Sequence, residues 1–490
     1  METKQVVDYL HSLERNIKLA NYEVSGFNAW PIVRVFLGLN LDNFTIASGG
    51  NENASRVTRL WSKIYGFVSS IFDFIKFVSG KYSVSRSNKD IVFITYGAAQ
   101  KKIGSKELDI YMSPIIENLK HDKKHLTFLY STRQALANNK NEFVSIDAVF
   151  RAIRLKSILK SKLVSMPTEL KTELKEIISK MDQDGINHSL SLKKIWFRIT
   201  FIRLLADWFK EVLEKTTPTH VFGSNYYGLE MAINLAADEL NITSVDVQHG
   251  VQGENHFAYT EWQNIPRNGY ELLPDIFLAW DENSKEVIQS WAGKTRKHRA
   301  VVGGNVTIIS NLNNSDGIND VAKLKSDCKN ILITLQPGRQ TLNFYKKLID
   351  KGDSKLCWWV RLHPNMLNQL EEIRRFFEDH SYKENIFIEE ATNNSLYDIL
   401  MHIDLHLTET SSVILDAKYC DIKSISIHKS ANSLFRKEVE NGFLQYAEDE
   451  ETCIEIIKKE TKRREKKAAV YLLDKHTSLL RNFLLSEDLA

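Results

Sequence analysis

Short apolar runs that end in glycine or polar residues recur along the chain and predict buried β-strands. The first set is DIVFITYG (90–97), HLTFLYST (125–132), THVFGS (219–224), ITSVDVQHG (242–250), PDIFLAW (274–280) and HRAVVGGN (298–305). The second set is NILITLQPG (330–338), CWWVRLHPN (357–365), NIFIEEA (385–391), DLHLTE (404–409) and KSISIHK (423–429). Segments with helical spacing lie between these runs. Strands that alternate with helices indicate parallel sheets with right-handed crossovers.

The two sets of strands predict two domains, which a chain of 490 residues is long enough to form. The polar segment SNLNNSDGIND, at residues 310–320, separates them. Residues 1–310 form the predicted N-terminal domain, with a helical N-terminal extension and a helical insertion at about 140–216. Residues 311–455 form the C-terminal domain, and 456–490 a basic helical tail. The predicted fold class is α/β, with two Rossmann-like doubly wound domains that face a central cleft.

The composition of the chain bears on its binding partners and on its cellular compartment. The net charge is only +3, which gives no overall case for binding nucleic acid. Four cysteines lie far apart without a CxxC pair, which indicates a reducing compartment and no zinc site. The charged start of the chain lacks a secretory apolar core, so a cytoplasmic location is expected.

One apolar segment, IYGFVSSIFDFIKFVSG at residues 64–80, bears on membrane contact. Asp73 and Lys76 interrupt it, and it is shorter than the ~20 residues that a spanning helix needs. A core or interface helix is the favoured interpretation. The second interpretation is a peripheral contact with the inner face of the cytoplasmic membrane, because Lys63, Lys76 and Lys81 flank the apolar residues.

Ligands of open α/β sheets bind beyond the carboxyl ends of the strands, so residues that follow the predicted strands carry most weight. Pro364 has no N–H group and stops the ladder of the strand before it. Arg361 and His363 then lie at the sheet edge, where both side chains can bind phosphate oxygens. A surface turn with an incidental histidine explains the same residues equally well.

A pair of serines, Ser411 and Ser412, follows the strand DLHLTE and opens the predicted helix SVILDAKYC. Serine is a preferred helix cap, so capping is the plain explanation. Two hydroxyl groups and free N–H groups at a helix start also form an anion site. Asp416, one helical turn further, is placed to accept hydrogen bonds from ribose hydroxyls, and Glu409 is the alternative for that role.

The strand ITSVDVQHG ends at His249 and Gly250. Glycine permits a close backbone approach, and a histidine at this position can act as a general base. A simple strand-end turn is the alternative. The tract Asp182-Gln183-Asp184-Gly185 resembles a metal-binding loop, but Lys193 stands where a calcium loop needs its glutamate, so no metal site is predicted.

Two paired motifs resemble those of bacterial surface-polysaccharide glycosyltransferases of the GT-B type. The stretch RLHP (361–364) followed by TETSSVILDA (408–417) is similar to the HP and Ser-Ser motifs of bacterial sialyltransferases and Kdo transferases. The stretches VDVQHG, GYELLPDIFLAW and VVGGN resemble N-terminal landmarks of capsule and lipopolysaccharide biosynthesis proteins. The resemblance covers roughly residues 20–45 and 90–430 through short motifs.

The resemblance implies transfer of a sugar from a nucleotide-sugar, with a CMP-sugar favoured, to a glycan or lipid-linked glycan acceptor. It implies no metal and no cofactor besides the nucleotide-sugar co-substrate. The residues that it assigns to nucleotide binding are Arg361, His363, Pro364, Glu409, Ser411, Ser412 and Asp416. The acidic motif that supplies the base in sialyltransferases is not found. Teichoic-acid glycerophosphotransferases pair a His-Gly turn with a later HP turn, and this similarity makes His249 the first candidate base, followed by Asp109 and Glu254.

Three other functions stay open. UDP-sugar 2-epimerases share the fold and an HPN turn, but their glycine-rich helix start with paired acids is replaced here by Ser412-Val413-Ile414-Leu415. A teichoic-acid-like glycerophosphotransferase is the second alternative. A non-catalytic assembly protein is the third, and it predicts no nucleotide affinity.

Overall fold

The computed structural model describes residues 3–16, 19–41, 69–82, 84–103, 105–119, 123–130, 143–314, 328–337, 341–378, 383–460 and 469–486. The chain divides into two compact units. The first comprises Met1–Gln100, Tyr111–Gly304 and Leu479–Ala490, and the second comprises Lys101–Ile110 and Asn305–Ser478. The division at Gly304 precedes the predicted boundary segment 310–320, of which residues 315–320 lie outside the described residues.

Helices and strands alternate through both units. Within the described residues the helices are α1 (Thr3–Glu14), α2 (Trp30–Leu41), α3 (69–78), α4 (Ser113–Asn118), α5 (Asp147–Leu163), α6 (Thr168–Gln183), α7 (Leu192–Thr216), α8 (Met231–Glu239), α9 (Glu282–Ala292), α10 (Val306–Asn314), α11 (Leu342–Lys351), α12 (Leu370–Glu378), α13 (Glu389–Asn393), α14 (Leu396–Leu400), α15 (Val413–Tyr419), α16 (Ala431–Leu434), α17 (Arg436–Glu440), α18 (Glu450–Lys459) and α19 (Ala469–Leu484). The strands are β1 (Glu23–Val24), β2 (Phe27–Asn28), β3 (Ile91–Tyr96), β4 (Gln100–Ile103), β5 (Lys106–Asp109), β6 (His125–Tyr130), β7 (Phe143–Ser145), β8 (His220–Gly223), β9 (Thr243–Val247), β10 (Ile276–Ala279), β11 (Arg299–Val302), β12 (Lys329–Thr334), β13 (Leu356–Arg361), β14 (Ile386–Phe387), β15 (Leu405–Thr408), β16 (Ser424–Ser426) and β17 (Leu444–Tyr446).

The first unit contains a seven-stranded parallel sheet in the order β11-β10-β9-β8-β3-β6-β7. From β3 the chain builds toward β7 on one side, then returns to build from β8 to β11 on the other. The strand order therefore reverses between β3 and β8. Helices cover such a sheet on both faces, which explains why β3 is apolar almost throughout.

The second unit contains a six-stranded parallel sheet in the order β14-β13-β12-β15-β16-β17. Its order reverses between β12 and β15. The adjacent residues Trp358 and Trp359 point to opposite faces of β13 and belong to two different apolar clusters. The indole N–H of Trp359 donates to Asn330 Oδ1 at 3.0 Å, so a polar atom buried on that face is satisfied.

The two parallel sheets confirm the predicted fold class of two Rossmann-like α/β domains. Three details differ from the predicted elements. The edge strands β7 and β17 were not predicted, because each has only three residues and little room for a periodic pattern. The run NIFIEEA forms strand only at Ile386–Phe387 and turns helical from Glu389. A two-stranded sheet of β4 and β5 follows β3, in a stretch where no strand was predicted.

The N-terminal helices are part of the first core. Arg34 is fully buried, forms an ion pair with Glu14 at 3.0 Å, and lies 4.0 Å from the ring centre of Trp262. The indole N–H of Trp30 donates to the same glutamate at 2.8 Å. A buried charge is tolerated only when it is paired in this way. Of the helices that the structure describes, not one is both long and apolar enough to cross a membrane.

Candidate functional site

The switch point of the first sheet, between β3 and β8, gathers polar and aromatic residues. Ligands of doubly wound sheets bind outside the carboxyl ends of the strands at such a point. The segment that follows β8 contains Ser224, Asn225 and Tyr227, and the neighbouring strand β9 leads to His249. Because parallel strands end at the same edge, the fold brings these separate stretches of sequence together.

The turn that carries His249 is fixed by Gln248, whose side chain is fully buried. The amide oxygen of Gln248 accepts a hydrogen bond from the backbone N–H of Trp280 at 2.7 Å, and its amide nitrogen donates to the carbonyl of Gly250 at 2.8 Å. The carbonyl of Gln248 accepts from the indole of Trp280 at 2.9 Å. These bonds tie the turn to the end of β10, so the imidazole is held in a defined position.

The imidazole of His249 has one engaged and one unengaged nitrogen. Nε2 lies 3.3 Å from the hydroxyl oxygen of Tyr227, whereas Nδ1 is buried and has no hydrogen-bond partner among the described residues. The ring centres of Tyr111 and Tyr259 lie 6.3 Å and 6.4 Å from that of His249. Burial lowers the pKa of His249 to about 4, so the ring is neutral at physiological pH. A neutral, fixed imidazole with an unused nitrogen is equipped to accept a proton.

Two buried carboxyl groups, those of Glu230 and Asp246, stand in the same region. Glu230 accepts a hydrogen bond from the Tyr130 hydroxyl at 2.8 Å, while its Oε2 has no partner among the described residues. Asp246 accepts from the Tyr259 hydroxyl at 2.9 Å and the Tyr226 N–H at 3.0 Å. Burial raises the pKa of Glu230 to about 7 and that of Asp246 to about 8. Both groups can therefore exchange a proton near neutral pH.

Two glycines make room for the Glu230 side chain. A Cβ atom at Gly228 would lie 2.7 Å from Glu230 Oε2, and one at Gly223 would lie 3.1 Å from its Cγ. A Cβ at Gly250, in contrast, would meet nothing within 4 Å. The backbone at Gly223 and Gly228 thus packs against the Glu230 side chain. The close backbone approach that was expected at Gly250 is found at Gly228 instead.

Further buried polar atoms after β8 and β9 lack partners among the described residues. They are Ser224 Oγ, Asn225 Oδ1 and both amide atoms of Gln252. Leaving a buried polar atom unpaired costs about 1–3 kcal/mol, so a group of them is atypical of a region that serves packing alone. A ligand rich in hydroxyl groups has the donors and acceptors to satisfy such a set.

The other two candidate bases, Asp109 and Glu254, are on different segments of the chain. Asp109 ends β5, is buried, and belongs to the second unit. Glu254 lies on the loop after β9 and its side chain is exposed. His256, on the same loop, accepts the Ala258 N–H at 3.2 Å and stacks on Phe257 with ring centres 5.1 Å apart. Burial lowers the pKa of His256 to about 3.

Glu230 and Asp246 were not predicted as site residues. Asp246 is a carboxylate within the apolar strand run VDV, and Glu230 stands at the start of an apolar helix. A charge inside an apolar pattern is the signal that could have identified both.

At the switch point of the second sheet, between β12 and β15, polar side chains bond to one another. The side-chain oxygen of Gln336 accepts the Thr410 N–H at 2.8 Å. The Thr341 hydroxyl donates to Glu409, which is buried, at 2.5 Å. The structure thus places Glu409, the alternative ribose ligand, at this switch point and bonded to a neighbouring loop.

The RLHP residues have structural partners at the end of β13. Arg361 Nη1 donates to the carbonyl oxygens of Ala391 at 2.5 Å and Asn394 at 2.7 Å, and burial lowers its pKa to about 10. His363 caps the 3₁₀-helix Pro364–Gln369, because its Nδ1 accepts the Asn365 N–H at 3.1 Å. Burial, and then the charge of Lys101, lower the pKa of His363. Lys101, which was not predicted as a site residue, is therefore near enough for its charge to act on His363.

The residues around α15 also have local partners. Ser411 Oγ accepts the Val413 N–H at 3.3 Å, whereas Ser412 is exposed and caps nothing through its side chain. Asp416 accepts a short hydrogen bond from the Tyr397 hydroxyl, and burial raises its pKa to about 6. The geometry at Ser411 matches the plain capping explanation, and Asp416 is held by Tyr397. Within the described residues, no group of three or more His, Cys, Asp or Glu side chains is arranged to hold a metal ion.

Comparison with known proteins gives similarity of structure only. No protein-family model and no curated protein matches the sequence. The UDP-GlcNAc 2-epimerase from Methanocaldococcus jannaschii is 15% identical, with 81% of this chain and 99% of that chain covered and a TM-score of 0.48. The Neisseria meningitidis UDP-GlcNAc 2-epimerase bound to UDP-GlcNAc is 14% identical, with 81% and 97% covered and a TM-score of 0.46. The spinosyn rhamnosyltransferase SpnG is 10% identical, with 81% and 98% covered and a TM-score of 0.42.

Proposed function

We propose that this chain is a glycosyltransferase that moves a sugar from a nucleotide-sugar to an acceptor hydroxyl group. The observation that carries the proposal is the neutral imidazole of His249, with its buried and unengaged Nδ1 at a strand end beside the switch point of the first sheet. A transferase needs a group that removes the acceptor proton as the new bond forms. His249 is the described side chain best suited to that role.

The proposed reaction is a direct transfer. His249 Nδ1 takes the proton of the acceptor hydroxyl as its oxygen bonds to the anomeric carbon of the donor sugar. The bond between that carbon and the nucleotide phosphate breaks, and the phosphate leaves with the electron pair. A base with a pKa of about 4 is already deprotonated at neutral pH. The rate should therefore be insensitive to pH above neutrality.

The nucleotide is assigned to the second sheet. His363 and Lys101 supply positive or hydrogen-bonding groups for the phosphate, and Glu409 and Asp416 are the candidates for the ribose hydroxyls. These groups require no metal for the proposed transfer. The preference for a CMP-sugar rests on the resemblance of the HP and Ser-Ser motifs. The proposed acceptor is a glycan or lipid-linked glycan of a bacterial surface polysaccharide, handled at the inner face of the cytoplasmic membrane.

The aromatic and carboxyl groups of the first switch point support a glycan acceptor. Sugar rings pack their apolar faces on aromatic side chains, while carboxylates and amides bind their hydroxyls. Tyr227, which is partly exposed, supplies an aromatic surface, and Glu230, Asn225 and Gln252 supply unengaged polar atoms.

A nucleotide-sugar 2-epimerase is the second candidate function, and the HPN turn at residues 363–365 favours it. An epimerase would invert the configuration at carbon 2 of the sugar without any acceptor, and in D₂O it would place deuterium at that carbon. A transferase would release nucleotide only when an acceptor or water receives the sugar. Mass spectrometry of the sugar after incubation in D₂O separates the two reactions.

The test begins with a thermal-shift screen of CMP, CDP, UDP and GDP on the purified chain. The proposal predicts that at least one nucleotide raises the melting temperature, and that CMP does so most. The corresponding nucleotide-sugars are then incubated with bacterial glycan acceptors, and released nucleotide and extended glycan are measured together. Absence of nucleotide stabilisation would contradict the proposal in favour of an assembly protein. Glycerol phosphate transfer would favour the glycerophosphotransferase.

A further inference from the structure

Helix α3 presents an apolar face to solvent. Ile71, Phe72, Ile75 and Val78 are 38%, 60%, 57% and 69% exposed. At 3.6 residues per turn these four positions share one side of the helix. Monomeric proteins rarely expose several large apolar side chains next to one another without a binding role.

The opposite side of α3 is the one that packs on the protein. Asp73 is buried, forms an ion pair with Arg151 of α5 at 2.6 Å, and accepts the Tyr82 hydroxyl at 2.9 Å. The Lys156 amino group of α5 lies 6.0 Å from the ring centre of Phe77. The helix is therefore anchored on α5 through its polar side, and its orientation directs the apolar side outward.

Basic side chains surround this apolar face. Together, the described residues 69–82 and α5 carry seven basic and two acidic residues, a net charge of +5 when the whole chain carries +3. The exposed basic residues are Lys76, Lys81, Arg151, Arg154, Lys156, Lys160 and Lys162. The C-terminal part of α5 adds exposed Leu159 and Leu163. The surface formed by α3 and α5 is hereafter the basic apolar surface.

We propose that the basic apolar surface docks the protein on a bilayer that contains anionic lipid. An amphipathic helix that lies in a membrane interface combines apolar residues on one side with lysine and arginine near the headgroups. The positive charge is attracted to anionic headgroups, and Phe72 and Ile75 enter the acyl boundary. A second copy is a poor occupant, because a symmetric contact would set +5 against +5. The proposal is independent of glycosyl transfer and survives if no transfer activity is found.

Vesicle sedimentation of the full chain tests the docking. The probes are vesicles of phosphatidylglycerol and phosphatidylcholine in equal parts, and vesicles of phosphatidylcholine alone. We expect binding to the first, little binding to the second, and weaker binding as NaCl is raised. Phe72→Ser with Ile75→Ser should lower the partition coefficient by about tenfold or more. Lys160→Gln with Lys162→Gln should lower it by about tenfold.

Val470→Ser with Tyr471→Ser is the matched control, because these residues of α19 are 65% and 54% exposed but lie in the second unit. That variant should bind vesicles as the unaltered protein does, and all variants should keep the same melting temperature. Equal binding to both vesicle types would overturn the proposal, as would full binding by the Phe72→Ser, Ile75→Ser variant. Sedimentation equilibrium that shows self-association lost in that variant, without vesicle binding, would assign the surface to a second copy instead.

Discussion

The two switch points of this molecule have the same topology but carry different polar groups with different hydrogen bonds. At the first, His249 Nδ1 and Glu230 Oε2 are buried without partners among the described residues. At the second, Thr341 is bonded to Glu409, and Tyr397 to Asp416. Both sheets follow the same strand order around their first strand, so topology alone does not explain the contrast.

The contrast indicates a division of roles. A carboxyl group that accepts a hydrogen bond from a neighbouring hydroxyl, as Glu409 and Asp416 do, is held in place, which suits the recognition of a ligand of constant shape. A buried imidazole with an unengaged nitrogen, such as that of His249, suits a step in which a proton moves, and so does the buried carboxyl of Glu230 with its pKa of about 7. Under the proposed function, the first switch point serves acid–base chemistry on the acceptor, and the second binds the nucleotide. The predictions below test this division from the largest expected effect to the smallest.

Replacing His249 should abolish sugar transfer and leave nucleotide binding unchanged. His249→Gln keeps an acceptor and a donor near Tyr227 but cannot take a proton, so turnover should fall by about 100-fold or more with nucleotide affinity unchanged. Single-turnover assays and calorimetry measure the two quantities. His298→Gln is the control, because the His298 ring bonds both the Tyr270 N–H at 2.9 Å and the Pro274 carbonyl at 2.7 Å. That variant should lose stability instead, and near-normal turnover of His249→Gln would refute the base assignment.

The carboxyl of Glu230 should make stability depend on pH. Its pKa is raised from 4.5 to about 7 on folding, so the folded state binds its proton more tightly than the unfolded state. Its contribution to stability is fully present below pH 4.5 and is lost as the pH rises through about 7. Relative to Glu230→Gln, the unaltered protein should lose up to about 3 kcal/mol of unfolding free energy across that window. Urea unfolding at several pH values measures the difference, and a pH-independent difference would show that Glu230 does not titrate there.

Substitution of Gly228 by alanine should destabilise the protein more than the same substitution of Gly250. Gly228→Ala places a Cβ 2.7 Å from Glu230 Oε2, and relieving that overlap should cost about 1–3 kcal/mol. Gly250→Ala meets open space and should change stability little, although it lies beside the proposed base. Chemical denaturation compares the two variants directly. Equal tolerance of both would mean that the Glu230 carboxylate is not packed as described.

Of the two serines, only Ser411 should affect stability. Ser411→Ala loses the bond from the Val413 N–H and should cost about 0.5–2 kcal/mol, whereas Ser412→Ala should stay within about 0.5 kcal/mol. Thermal unfolding with and without nucleotide measures both effects. If Ser411→Ala instead lowers nucleotide affinity more than stability, then Ser411 binds phosphate and is not only a helix cap.

The fold was predictable because its signal is distributed over many residues. The apolar runs at β3, β9 and β12 are long enough to reveal buried parallel strands, and their alternation with helices defines the topology. His249 was predictable because a polar residue that follows a strand stands at the ligand-binding edge. The edge strands β7 and β17 were missed because each has only three residues, too few to carry a pattern.

The remainder of the site depends on contacts between distant residues. Glu230 and Tyr130 are 100 positions apart, and no local pattern reports their hydrogen bond. The roles of Arg361 and Asp416 depend on carbonyl and hydroxyl groups of α13 and α14, which decide whether a charged side chain is available. No local pattern distinguishes Lys101, and only the folded chain brings its charge near His363.

The division of roles is tested most directly by calorimetric titration of three variants with the nucleotide that stabilises the unaltered protein most. His363→Ala should weaken binding by about tenfold or more, since a charge-assisted bond to phosphate contributes about 1.5–3 kcal/mol. His428→Ala is the matched control, because its Nδ1 accepts the backbone N–H of Ser430, two residues on, at 3.3 Å, and His363 Nδ1 accepts that of Asn365 at 3.1 Å. His428→Ala and His249→Gln should bind as the unaltered protein does. Loss of affinity in His249→Gln, with His363→Ala unchanged, would contradict the account.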